Sequence, residues 1–133
     1  MKNVEKAINA GVRRLEKKIE NFKDLKIWQK GIELAKAIYR VTDSFPAKET
    51  YGIVGQMRRA VVSVPSNVAE GFMRRHNKEY RQFLYIALGS LAELETQVII
   101  SEQLGFLNKE ESDKIQTNID EIDKMTTGLI KCL

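Results

Sequence analysis

The sequence predicts an all-α fold: an antiparallel up-down bundle of four helices with an extra N-terminal helix ahead of it. Three observations point there. The 133 residues include only two prolines and eight scattered glycines, so few turns are available and the chain must run in long elements. Apolar residues recur at spacings of three and four through most of the chain, the period of a helix face. The one candidate strand, Val61 to Val64, is embedded in that helical period. Short connections between four such segments make consecutive helices antiparallel neighbours. A chain of this length, 43% hydrophobic and 30% charged, can bury one core without metal or disulfide support. The expected division is residues 1–23 as an N-terminal helical extension and 24–133 as the bundle.

The extension reads as a helix from Val4 to Lys23. Ile8, Val12, Leu15, Ile19 and Phe22 are spaced 4, 3, 4, 3, the seam of a coiled coil too short to stand alone. It should dock on its own bundle or on a neighbouring chain. The first bundle helix is expected to start at an Asp24 cap and to face inward with Trp28, Ile32, Ala35, Ile38 and Thr42. Phe45-Pro46 ends it, because a residue before proline leaves the helical region. The second bundle helix is expected over Lys48–Arg75. Asn77 is placed to cap a third, Lys78–Leu104, with Gly105 as its stop. Asn108 and Glu111 have capping-box spacing for a fourth, whose apolar face is Ile115, Ile119, Ile122, Met125 and Leu129.

The second helix carries the most informative stretch, Ser63-Val-Pro-Ser-Asn-Val-Ala-Glu-Gly71. Pro65 has no N–H to give the Val61 carbonyl, and its ring crowds that carbonyl, a cost of ~3 kcal/mol or more in a helix interior. The apolar stripe Met57, Val61, Val64, Val68, Phe72 nevertheless stays in register across it. That favours a continuous helix kinked at Pro65 over a break with Ser63 as a new cap. A second stripe is polar: Gln56, Arg59, Ser63, Asn67, Glu70 and Arg74. The third helix offers Ser90, Glu93 and Gln97 on one face. Together they predict a hydrogen-bonded polar layer, with Arg59 paired to Glu93 because a lone buried charge is costly. The third helix is also apolar beyond the arc of one buried face. A second subunit should cover the surplus, which predicts a homo-oligomer.

Several classes of function are disfavoured. One cysteine, Cys132, and one histidine, His76, make neither a disulfide nor a zinc site. No Glu-X-X-His pair is present to hold a di-metal centre in a bundle, and no glycine loop is placed to cradle phosphate. The expectation is no enzyme, no metal and no cofactor. No apolar run approaches the ~18–20 residues of a membrane span and the N-terminus lacks a signal core, so the protein reads as cytoplasmic. Net charge is +4, unevenly spread: residues 1–81 hold 18 Lys/Arg against 9 Asp/Glu, and residues 82–133 hold 4 against 9. Charge matching between solvated faces explains this, and so does a basic surface for nucleic acid.

Three segments carry a resemblance. "DLKIWQKGIELAKAIYRVTDSFP", "YGIVGQMRRAVVSVPSNVAEG" and "FLYIALGSLAELETQ", in that order, resemble the 23S rRNA intervening-sequence protein family of bacterial four-helix bundles. The resemblance covers about Phe22 to Leu129 and implies a homopentameric ring. The fold also resembles the accessory variability protein of diversity-generating retroelements, a basic pentamer thought to bind nucleic acid and a reverse transcriptase.

The expected function is binding of RNA or DNA through basic surfaces. The candidate residues are Arg74, Arg75, Lys78 and Arg81 at one interhelix corner, with Arg13, Arg14, Lys17 and Lys18 on the extension. Such contacts to phosphate give affinity without sequence choice. The corner is equally explained as a solvated loop that neutralises a helix C-terminus. Trp28, Phe72, Phe83 and Tyr85 read as packing residues rather than base-stacking platforms. The alternative function is an assembly or adaptor protein that docks a protein partner through the N-terminal seam.

Overall fold

The structure, a computed structural model, describes residues 19–133. Four helices make the fold: α1 (Lys26–Thr42), α2 (Gly55–Met73), α3 (Asn77–Gln103) and α4 (Lys109–Cys132), with no strand among the described residues. Each packs on the next, and α4 closes back on α1. Met57 near the start of α2 meets Ser101 near the end of α3, while Gly71 near the end of α2 meets Phe83 near the start of α3. Those two helices are therefore antiparallel. The pairs Arg58–Thr42 and Gly31–Pro65 set α1 against α2 in the same sense.

The core is aliphatic and lies in two connected regions. The larger gathers Leu34, Ile38, Met57, Val61, Val64, Leu91, Leu94, Val98, Ile115, Ile119 and Ile122. The smaller closes the end where α1 and α3 begin, with Ile27, Val68, Leu84, Ala87 and Ile130. Each fully buried side chain of this kind contributes about 1.5–3 kcal/mol by leaving water.

Pro65 is buried inside an unbroken α2, so no new cap forms at Ser63. Its ring lies against Gly31, where a Cβ would stand 3.2 Å from the proline Cβ. A proline on one helix is thus matched to a missing side chain on the other.

Several boundaries differ from the sequence expectation. Ile8, Val12 and Leu15 of the extension's seam lie outside the described residues. Its end is not helical as expected: Ile19 and Glu20 lack helical structure, and Phe22–Asp24 is one 3₁₀ turn capped by the Asn21 side chain. Asp24 lies in that turn, and Leu25, with no side-chain hydrogen bond, holds the cap position of α1. The inward face of α1 is Ile27, Gly31, Leu34, Ile38 and Thr42: Ile38 and Thr42 match the expected stripe, and its first half is displaced by one residue from Trp28, Ile32 and Ala35. The stretch before α2 is a 3₁₀ turn, Ala47–Glu49, and a wide turn, Thr50–Val54, in which Gly52 departs from helical backbone (φ −104°, ψ −118°). Helix α2 therefore begins at Gly55 rather than Lys48. Asn77 opens α3 as its first residue, and His76 sits at the cap.

Two terminators match the expectation. Gly105 (φ 83°) ends α3. Its N–H donates to the Glu102 carbonyl and that of Phe106 to the Ser101 carbonyl, the paired bonds of a Schellman motif. Asn108 and Glu111 form the reciprocal capping box of α4.

Candidate nucleic-acid interface

The antiparallel arrangement brings the start of α1, the end of α2, the start of α3 and the end of α4 to one end of the bundle. Lys23, Lys26, Arg74, Arg75, Lys78 and Lys131 are all exposed there. Sequence spacing showed only the Arg74–Arg81 corner. Lys23, Lys26 and Lys131 are distant in the chain and join it only through the fold. Asp24, Glu70 and Glu79 are interspersed with them.

The corner residues differ in availability. The Arg74 guanidinium donates to Glu70 at 3.0 Å and lies 5.0 Å over the Phe83 ring. Arg75 has positive φ (66°) and stacks 5.4 Å over Phe72. It takes the left-handed position after α2 that glycine usually fills. Lys78 is exposed. Arg81 is half-buried and donates to the terminal Leu133 carbonyl, so it ties α3 to the end of α4 and is a structural residue before it is a phosphate contact. Arg13, Arg14, Lys17 and Lys18 lie outside the described residues.

The polar layer is narrower than expected. Ser63 and Ser90 share a hydrogen bond at 2.8 Å, and Asn67 Nδ2 donates to the Ser63 hydroxyl and carbonyl. Gln97 is buried and reaches only Glu93 on its own helix, at 3.4 Å. The Arg59–Glu93 ion pair is not made among the described residues. Both side chains are exposed, so desolvation does not force them together. Glu70 serves Arg74 instead. The arginine that is structurally engaged is Arg58: it donates to Thr42 Oγ1 at 3.0 Å, to the Tyr39 carbonyl at 3.3 Å and to Asp43 at 3.1 Å, and lies 4.4 Å over the Tyr39 ring. Adjacent arginines in the sequence left open which one turned inward.

Helix α3 keeps one apolar face inside and another outside. Tyr85, Ile86, Ile99, Ile100 and Leu104 are exposed, as is Val62 on α2. Tyr85 therefore does not pack as expected. Trp28 meets Phe22, and Phe72 meets Tyr80, edge to face. Contrary to the sequence expectation, Asn77–Gln103 contains an 18-residue window with mean hydropathy 1.4, long and apolar enough to cross a membrane, because only Glu93 and Glu95 interrupt it. Its inner face nevertheless packs against neighbouring helices.

A helical-bundle protein with a cation-bearing end and a half-exposed apolar helix is what these features define. The chain belongs to the 23S rRNA-intervening sequence protein family, whose model matches residues 23–128. In fold it is similar to the crystal structure of a protein with unknown function from the S23 ribosomal protein family of Bacteroides thetaiotaomicron. That similarity has a TM-score of 0.74 and 21% identity, over 79% of this chain and 95% of the other. No curated protein matches the sequence.

Proposed function

We propose that this protein is a non-enzymatic, cytoplasmic homo-oligomer that binds RNA or DNA through the basic end of its bundle. The observation that carries this reading is the convergence of Lys23, Lys26, Arg75, Lys78 and Lys131 from separate stretches of chain onto one exposed surface. Cations at helix C-termini also offset the helix dipole, which accounts for Arg74, Arg75 and Lys131. It does not account for Lys23, Lys26 and Lys78, which stand at helix N-termini where positive charge is unfavourable. Oligomerisation is supported by the exposed Ile86 and Ile100 of α3 and by Leu104 just past its end, and the family resemblance supports five copies. A ring would repeat the basic end and multiply weak phosphate contacts.

A gel-shift comparison of structured RNA and duplex DNA at low salt tests the reading. Binding is expected for the parent protein and is expected to fall at least tenfold in Arg75→Glu/Lys78→Glu. No binding of either nucleic acid to the parent would refute it. That result would favour the adaptor reading, in which a protein such as a reverse transcriptase is the partner.

A further inference from the structure

A cleft of about 480 Å³ lies between α1 and α2, lined by Tyr39 of α1 and by Gly55, Arg58, Arg59, Val62 and Ser63 of α2. That volume is in the range of small-molecule sites. No carboxylate lines it, and two arginines do. Arg58 is fixed by its bonds to Thr42, Tyr39 and Asp43, all made through Nε and Nη2. Its Nη1 has no partner among the described residues, and Arg59 makes no hydrogen bond or ion pair among them. The Arg59 guanidinium lies back over Gly55, where a Cβ would stand 3.3 Å from Nη1, so the missing side chain leaves it room. Asp43 is the carboxylate bonded to Arg58, and its side chain is 82% exposed. One solvated carboxylate offsets two neighbouring guanidiniums only weakly, which favours an added anion. The rest of the wall is apolar. Tyr39 and Val62 are 44% and 42% exposed, and Arg58 covers one face of the Tyr39 ring.

We propose that this cleft binds a nucleotide unit, its phosphate on Arg59 and on Nη1 of Arg58 and its base against Tyr39 and Val62. A guanidinium is always charged, and its planar fork matches phosphate oxygens. A base is flat and largely apolar, and it covers the ring and the valine that otherwise face water. A bare inorganic anion would leave that wall wet, and an uncharged ligand would leave the arginines unspent. The site is separate from the basic end of the bundle: Arg59 and Arg74 are about 22 Å apart along α2. It therefore does not rest on nucleic acid binding there. A free mononucleotide and one unit of a longer strand present the same chemistry.

Titration of adenosine monophosphate into the isotope-labelled full chain, followed by NMR, tests the site. Amides of Tyr39 and of residues 55–63 are expected to shift and saturate. Inorganic phosphate should move the same amides with at least threefold weaker affinity. Arg59 is exposed, so Arg59→Gln should keep the amide pattern elsewhere while weakening mononucleotide binding at least tenfold. Arg75→Glu/Lys78→Glu should leave mononucleotide binding unchanged. A single-stranded oligonucleotide then separates the two sources. Strand affinity that falls in Arg59→Gln assigns the unit to a strand, and equal strand affinity assigns a free nucleotide. No shift of these amides at millimolar nucleotide, shifts confined to the basic end, or equal mononucleotide affinity in parent and Arg59→Gln would overturn the proposal. Inorganic phosphate binding as tightly as the nucleotide would overturn the base contact.

Discussion

Arg75 holds a left-handed conformation (φ 66°) that costs an L-residue about 1–2 kcal/mol, most of which glycine avoids. Against that cost stands its stacking on Phe72. Arg75→Gly is therefore expected to raise stability by about 0.5–1 kcal/mol, measured by urea denaturation. A loss of stability would mean that the Phe72 contact outweighs the backbone strain. Thr126 makes the opposite kind of compromise. Its side chain is fully buried on α4, and its hydroxyl has no hydrogen-bond partner among the described residues. Thr126→Val keeps the shape and removes the unsatisfied group, so a gain of about 1 kcal/mol is expected in the same assay. Neither residue was readable beforehand. The sequence marks a left-handed terminus only when it supplies glycine, as at Gly105, and it marks a buried threonine not at all, because the expected stripe of α4 ended on Met125 and Leu129. The inward face in fact turns to Thr126 and Ile130.

The helices themselves were readable wherever local chemistry decides them. The capping box at Asn108 and Glu111 and the stop at Gly105 act within a few residues. The first half of the inward face of α1 was misread because a hydrophobic count gives Gly31 no weight. Gly31 is buried because Pro65 of α2 occupies the space where its side chain would be. Gly31→Ala would bring a Cβ within 3.2–3.3 Å of a rigid ring. It is expected to destabilise by about 1–3 kcal/mol as the helices move apart. Pro65→Gly removes the ring together with the Cβ that stands 3.2 Å away, so Gly31→Ala should cost at least 0.5 kcal/mol less in its background, the coupling expected of touching residues. Thermal denaturation of the four proteins checks this, and additive effects would show that the two helices do not meet there. The early break before α2 has a similar origin: Gly52 looked helical by spacing, yet its backbone leaves the helix.

At the scale of the molecule, the surplus of apolar surface on α3 was evident from composition and stands exposed as Ile86, Ile100 and Leu104. A solution mass near five chains at micromolar concentration is the expected outcome for the assembly, and Ile100→Glu should lower it. The basic end was only partly readable, since Lys23, Lys26 and Lys131 meet the Arg74–Lys78 corner through antiparallel packing and not through spacing. The expected polar layer shrank to Ser63, Asn67 and Ser90 because surface exposure left Arg59 and Glu93 solvated. The most direct measurement is the salt dependence of duplex DNA binding, by fluorescence anisotropy, in the parent and in Lys26→Gln/Arg75→Gln/Lys78→Gln/Lys131→Gln. If these side chains neutralise phosphates, the slope of log Kobs against log salt should fall by ~0.9 for each contact removed, about 3–4 in all. An unchanged slope, or a parent protein that binds no nucleic acid at low salt, would contradict the account.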